Sequence, residues 1–345
     1  MNIHDKSITG TGRDGYRVMD ILMETLKSVR GKSVVALSPN SGFSDLSPLF
    51  LYDGADIDDG AVIKLSGGLS DYTVVGLDSS IVLVGEACDG FLFGIKGAFV
   101  AEVGGEYRIH RFGPFPFYYN DEVVSVISRL DGFTSLRMLW RRYPDLSMAK
   151  RLTIIFFEYL LAELASSMYR DSLIVIDGSL SMMRFLGLSI LKNLIDMVGG
   201  SGGHLIGVAK RTRLVRRFPW LFSAVARAGE PCVVRVPIDG LDNFYEVFIG
   251  VFRPGGVPLR VDVASSGGDS VKVLNNIYSA GHTSHGYLEV LKEAHIVSKM
   301  STGEVIALKR FLEDRYDVRF INSFGLRDVI FGAYNCSLGG NGEGI

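Results

Sequence analysis

Apolar side chains between Tyr16 and Val29 recur at Val18, Ile21, Leu22, Leu26 and Val29, a spacing that predicts a helix. A short strand, SVVAL, follows, then a loop rich in Ser, Asn, Gly, Pro and Asp that runs to about Gly60. The pattern changes from Thr73 to Phe112, where β-branched and aromatic runs are broken only by Gly and Asp, so antiparallel strands with tight turns are expected. From Asn120 to about Met168 the period becomes helical, with Asn120 as an N-cap and LSMAKRLTIIFFEYLLAELASSMY as a long amphipathic stretch. The short apolar run LIVI then closes in Asp177-Gly178 and reads as a buried strand. A helix over MMRFLGLSILKNLIDMV stops at GGSGG, and HLIGVAK is a second buried strand, followed by the basic stretch RTRLVRR. VVRVPID, YEVFIGVF and PLRVDVAS predict three more strands, and helices are expected from Gly286 to Ser298 and from Thr302 to Tyr316. Strands, then a helix, then alternating strands and helices predict an α/β fold around a mixed sheet.

The chain has 345 residues, which suggests two domains or one elaborated α/β domain. An apolar fraction of 47%, with 21 Phe and 14 Tyr, supplies a sizeable core and excludes global disorder. The 36 Lys and Arg against 38 Asp and Glu leave a charge of −2, so any nucleic-acid site must be a local patch. Cys88, Cys232 and Cys336 are odd in number and far apart, with no CxxC, which speaks against a disulfide framework or a structural zinc site. The N-terminal residues contain no apolar signal core, and the apolar run from Ile154 to Leu164 is short and carries Glu158 and Glu163. A cytoplasmic protein without a membrane segment is the expectation.

Several short motifs fail on context. GTGRDG at Gly10 to Gly15 has no preceding strand, so it is not a dinucleotide loop. Gly31-Lys32-Ser33 lacks the glycine of a phosphate loop, because Leu26 stands five residues before it. Asp-Gly-Ser at 177–179 is not a nucleophile elbow.

Two aspartates occupy expensive positions: Asp78 follows TVVGL and Asp177 follows LIVI. A carboxylate at the end of a buried strand loses hydration and needs a cation, a metal or several donors. Each alone could cap a turn; together, each followed by a small residue, they suggest a shared divalent-metal site. Glu163, among Leu160, Leu161, Leu164 and Ala165, is the third candidate, with Glu158 as its rival. Such acids are hard oxygen ligands for Mg²⁺ or Mn²⁺, suited to in-line attack on a phosphodiester.

Taken in order, VVGLDSS around Asp78, the helix with Glu163, LIVIDGSLS around Asp177, GVAKRTR around Lys210, PLRVDV around Asp262 and GYLEVLKEAH from Gly286 to His295 resemble the NurA nucleases, archaeal DNA end-resection exonucleases that work with the hexameric HerA ATPase. The resemblance covers roughly residues 70 to 315 and lies in the ordered set, since no block is specific alone. It implies an RNase H-like mixed sheet flanked by helices, with N- and C-terminal helical additions, a homodimer, and Mn²⁺ or Mg²⁺ as cofactor. It further implies that Asp78, Glu163 and Asp177 bind metal, and that Tyr287 and His295 complete the site, His295 as a metal ligand or as the group that orients water. Ser79 departs from the family's usual Asp-Gly. The implied organisation is an N-terminal extension over 1–70, a nuclease domain over 71–320, and a tail over 321–345 whose Gly-rich end frays.

Lys210, at a strand end, is expected to neutralise charge on the reacting phosphate. With Arg211, Arg213, Arg216 and Arg217 it forms a strip suited to tracking DNA phosphates. Phe218, Trp220 and Phe222 could stack bases, although core packing is the simpler reading. Arg260 and Asp262 share one strand face and predict a supporting ion pair. His282 and His285 are read as loop residues. The expected function is a metal-dependent DNA nuclease, a 5′ to 3′ exonuclease in break repair; the alternatives are a non-catalytic DNA clamp or HerA-binding paralogue, and a domain acting on RNA.

Overall fold

The structure is a computed structural model that describes residues 20 to 322 apart from 21, 37–61, 69–71, 131–132, 143, 182, 184–187, 213, 237–243 and 265–269. The long loop before Gly60 and the Gly-rich end fall outside the described residues, as do the start of the first predicted helix and part of the helix predicted over 182–198.

The described part opens with a helical segment, α1 (residues 22–27), and the strands β1 (Ser33–Ala36) and β2 (Ile63–Lys64). β3 (Thr73–Ala87), β4 (Gly90–Val103) and β5 (Glu106–Asn120) make an antiparallel meander, as their alternating β-branched and aromatic residues predict. Asn120 ends β5 and caps α2 (Asp121–Ile127), its side chain accepting from the Val123 amide. α3 (Leu136–Arg142) and the long α4 (Leu146–Met168) follow, the latter capped by Asp145. β6 (Ser172–Asp177), α5 (Leu188–Gly200) and β7 (His204–Ala209) form a right-sized parallel crossover. Two helices where the sequence pattern showed only a basic stretch, α6 (Leu214–Arg217) and α7 (Pro219–Arg227), lead to the antiparallel strands β8 (Cys232–Val236), β9 (Glu246–Val251) and β10 (Leu259–Ala264). α8 (Ser270–Ser279), α9 (Glu289–Ser298), α10 (Thr302–Tyr316) and β11 (Arg319–Asn322) complete the chain.

All eleven strands among the described residues belong to one sheet. Its centre runs β5-β4-β3-β6-β7, antiparallel through the meander and parallel from β3 to β6 and β7. That order and sense are those of an RNase H-like core. β10, β9, β8 and β2 extend it beyond β7, while β1 and β11 join beside the far end of β3. The N-terminal segment and the residues after 318 therefore contribute strands to the same sheet.

The two faces bury separate sets of side chains. On one, Leu77, Ile174, Ile176 and Leu205 pack with Leu152, Phe156, Leu160 and Leu161 of α4. On the other, Val74, Val175, Ile206 and Val208 pack with Val290, Leu291 and Ala294 of α9. Each of the Val, Leu, Ile and Phe side chains contributes about 1.5–3 kcal/mol of burial. The approach of α9 is close enough that a Cβ on Gly76 would lie 2.7 Å from the Val290 carbonyl carbon and 2.8 Å from the Leu291 nitrogen. Backbone cannot move aside as a side chain can. Gly76→Ala is therefore expected to cost about 2 kcal/mol or more by displacing α9, a loss that a denaturant midpoint would report; an unchanged midpoint would contradict this packing.

Candidate metal centre

Strand periodicity puts the key groups on one face. Val74, Gly76 and Asp78 alternate towards α9, as do Leu173, Val175 and Asp177 on β6, and Ile206 and Val208 of β7 with Lys210 after it. The parallel pairing of β3 with β6 runs from Thr73↔Ser172 to Leu77↔Ile176, so it stops one residue before Asp78. That leaves the β3 edge open where both aspartates emerge.

Asp78, Asp177 and His295 each present a ligand atom within 4.8 Å of the others, and they form the one such group among the described residues. His295 Nδ1 lies 2.9 Å from Asp78 Oδ2, and Ser298 Oγ donates to the same oxygen at 2.8 Å. His295 and Ser298 stand three residues apart, so they share a face of α9. Burial, the largest influence, raises the Asp78 pKa, and the Asp177 charge adds to it; hydrogen bonds from Ser298 and His295 oppose both. Ser298 was not anticipated from the sequence, although its spacing from His295 was the available signal.

Lys210 Nζ donates to Asp177 Oδ2 at 2.8 Å and sits 4.4 Å from the centroid of the Tyr287 ring. Tyr287 belongs to the turn before α9 rather than to the helix itself. That turn is fixed by the Thr283 amide donating to the Tyr287 carbonyl at 2.8 Å and by Arg253 donating to the Thr283 carbonyl at 3.2 Å. The Tyr287 hydroxyl is buried beside Asp177. Desolvation, followed by the charge of Asp177, raises its pKa far above the ordinary phenol value.

On α4, Glu158 lies beside the aspartates. Glu158 Oε1 accepts from Ser79 Oγ at 3.0 Å, and Ser79 is the neighbour of Asp78. Burial raises the Glu158 pKa to about 8, with the charges of Asp78 and Asp177 adding to the rise. Five residues turn an α-helix by about 140° beyond a full rotation, so Glu163 points elsewhere on α4 when Glu158 faces Ser79. Ser79 thus holds Glu158 through its hydroxyl.

Asp262 is fully buried and pairs with Arg260, whose Nε lies 2.7 Å from Oδ1. Its Oδ2 accepts from Ser179 Oγ at 2.8 Å and from the Leu180 amide at 2.9 Å, so it pins the turn that follows Asp177. The same turn lies so close over β7 that a Cβ on Gly207 would be 2.6 Å from the Gly178 oxygen. The pair supports the site without joining it. Arg211 and Arg216 are exposed, Arg217 closes α6, and Arg213 lies outside the described residues. His282 stacks on Phe252 and bonds its own loop at the Ala280 oxygen, while His285 is exposed.

No protein-family model matches the chain, and no curated protein does. Among solved structures, the NurA nuclease from Sulfolobus solfataricus is similar, at 11% identity and a TM-score of 0.46, over 88% of this chain and 93% of that one. A NurA structure bound to dAMP and manganese is similar at 11% identity and a TM-score of 0.45, over 74% and 90% of the two chains. The catalytic domain of human endonuclease V is similar at 14% identity and a TM-score of 0.37, over 69% and 85%.

Proposed function

We propose that the protein is a divalent-metal-dependent DNA nuclease that hydrolyses the phosphodiester backbone at this centre. The observation that carries the reading is the convergence of Asp78, Asp177 and His295 within 4.8 Å, on residues 217 positions apart at their extremes. Two carboxylates and an imidazole suit Mn²⁺, which accepts nitrogen more readily than Mg²⁺ does. Asp78, Asp177 and His295 are the residues that would hold such an ion, with Ser298 and Lys210 fixing the two carboxylates. Such an ion would lower the pKa of a bound water and offset charge on the phosphate.

The chain's own groups supply the rest. His295, with Nδ1 engaged by Asp78, keeps Nε2 for the ion or for orienting the attacking water. Lys210, whose ammonium lies over the Tyr287 ring, can leave Asp177 for a phosphate oxygen. Glu158 is the third metal-binding acid or the group that holds a proton beside it. The basic residues after Lys210 carry the strand's phosphates. The sequence resemblance supports the finer reading: 5′ to 3′ exonuclease action in end resection, a homodimer, and a HerA-type ATPase supplying the translocation for which this chain shows no phosphate loop. Among the described residues no helix is long and apolar enough to cross a membrane.

Cleavage of end-labelled DNA titrated with Mn²⁺ tests the reading. Cutting should appear with the metal, vanish on chelation and return on re-addition. A protein that binds DNA equally well with and without metal and never cuts would be a clamp, and the proposal would fail.

A further inference from the structure

The chain holds two tryptophans, and the structure treats them oppositely. Trp140 is 7% exposed, with its ring 4.9 Å from that of Tyr119 and its Nε1 donating to Asp121. Trp220 is 43% exposed on α7. The core side of α7 is already filled by Leu221, Phe222 and Val225, and Phe218 packs against the same core. Of the three aromatics in this segment, Trp220 alone is left to water. One turn earlier, on α6, Val215 is 45% exposed beside the exposed Arg216. A half-exposed indole offers a flat apolar face to a partner.

The path of the chain indicates that partner. Lys210, bonded to Asp177, faces the metal centre on the α9 side of the sheet, whereas Leu214 is already in the core on the α4 side. Lys210 and Leu214 therefore stand on opposite faces at the end of the sheet, with Lys210 at the proposed reacting phosphate. The segment after Lys210 carries the cations Arg211 and Arg216. We infer that Trp220 is a base-stacking platform for an unpaired DNA strand whose phosphates track Arg211 and Arg216 as it leaves the metal centre. A phosphate backbone matches the charge of this strip, and a nucleobase matches the flat apolar face at its end. The inference rests on the nuclease reading for its direction, but stacking itself needs neither metal nor cutting.

The buried partner makes the test direct, because only Trp220 is open to a quencher. Titration of the metal-free protein with an oligothymidylate of about 12 nucleotides should quench the solvent-exposed component of the tryptophan emission. Trp220→Ala should weaken binding about tenfold, with Trp220→Phe recovering most of the loss and Arg216→Ala weakening binding with a reduced salt dependence. A blunt duplex of the same length should quench far less. Equal binding by wild type and Trp220→Ala, or equal quenching by the duplex, overturns the inference. Quenching by a protein that never cuts would leave the platform standing and remove the nuclease; cutting without quenching would do the reverse.

Discussion

Asp177→Asn is expected to abolish metal-dependent cleavage, by about 10³-fold or more, while the protein still folds. The substitution keeps the shape of the side chain and removes one of two carboxylates that lie within 4.8 Å of each other. Contributions of several kcal/mol from an ion at a reacting phosphate correspond to about that factor in rate. Stability should change little, because the variant loses the Lys210 bond at a half-exposed lysine and also relieves the repulsion that Asp177 exerts on Asp78. Asp78→Asn should lose activity to the same degree. Rates within a few-fold of wild type for either variant, in protein whose melting is unchanged, would remove the centre from the catalytic account.

These two acids were readable because a strand displays its chemistry locally. Each ends an apolar run, and the alternation of faces fixes which way a side chain points once the neighbouring residues are known to be buried. Lys210 follows the same rule at the end of HLIGVA, and Arg260 with Asp262 follow it mid-strand. The helix acid was not readable. α4 buries residues nearly all the way around, among them Leu152, Ile155, Phe156, Phe157, Leu160, Leu161 and Ala165, because it lies between the sheet, α3 and α5. A helix without a clear polar face does not say which of Glu158 and Glu163 lies towards the aspartates; the hydrogen bond from Ser79 favours Glu158. Short elements escaped for a different reason. β2 spans only two residues, and β11 (RFIN) is polar at both ends, so neither carries an apolar run like that of β1; they are strands because β8 and β1 pair with them.

Glu158 couples the chemistry to stability, with opposite signs for the two. Glu158→Gln should lower cleavage about 10²-fold by removing a proton-holding or metal-binding group beside the aspartates, whereas Glu163→Gln should stay near wild type. In metal-free protein the same Glu158→Gln should be stabilising at alkaline pH. The Glu158 pKa is about 8 in the folded chain against a reference of 4.5, so between those values the folded state holds a proton that the unfolded state has released. Stability of the wild type therefore falls as pH rises through this window, by an amount on the order of 3 kcal/mol, and the loss is complete above about pH 8. Glutamine does not titrate, so the gap between variant and wild type should widen from pH 5 to pH 8 and then level off. Divalent metal should narrow it, by favouring the ionised carboxylate that burial disfavours. Denaturant melts across that pH range, with and without Mn²⁺, measure both effects; a gap that does not move with pH, or a Glu163→Gln variant that loses cleavage instead, would place the third acid elsewhere on α4.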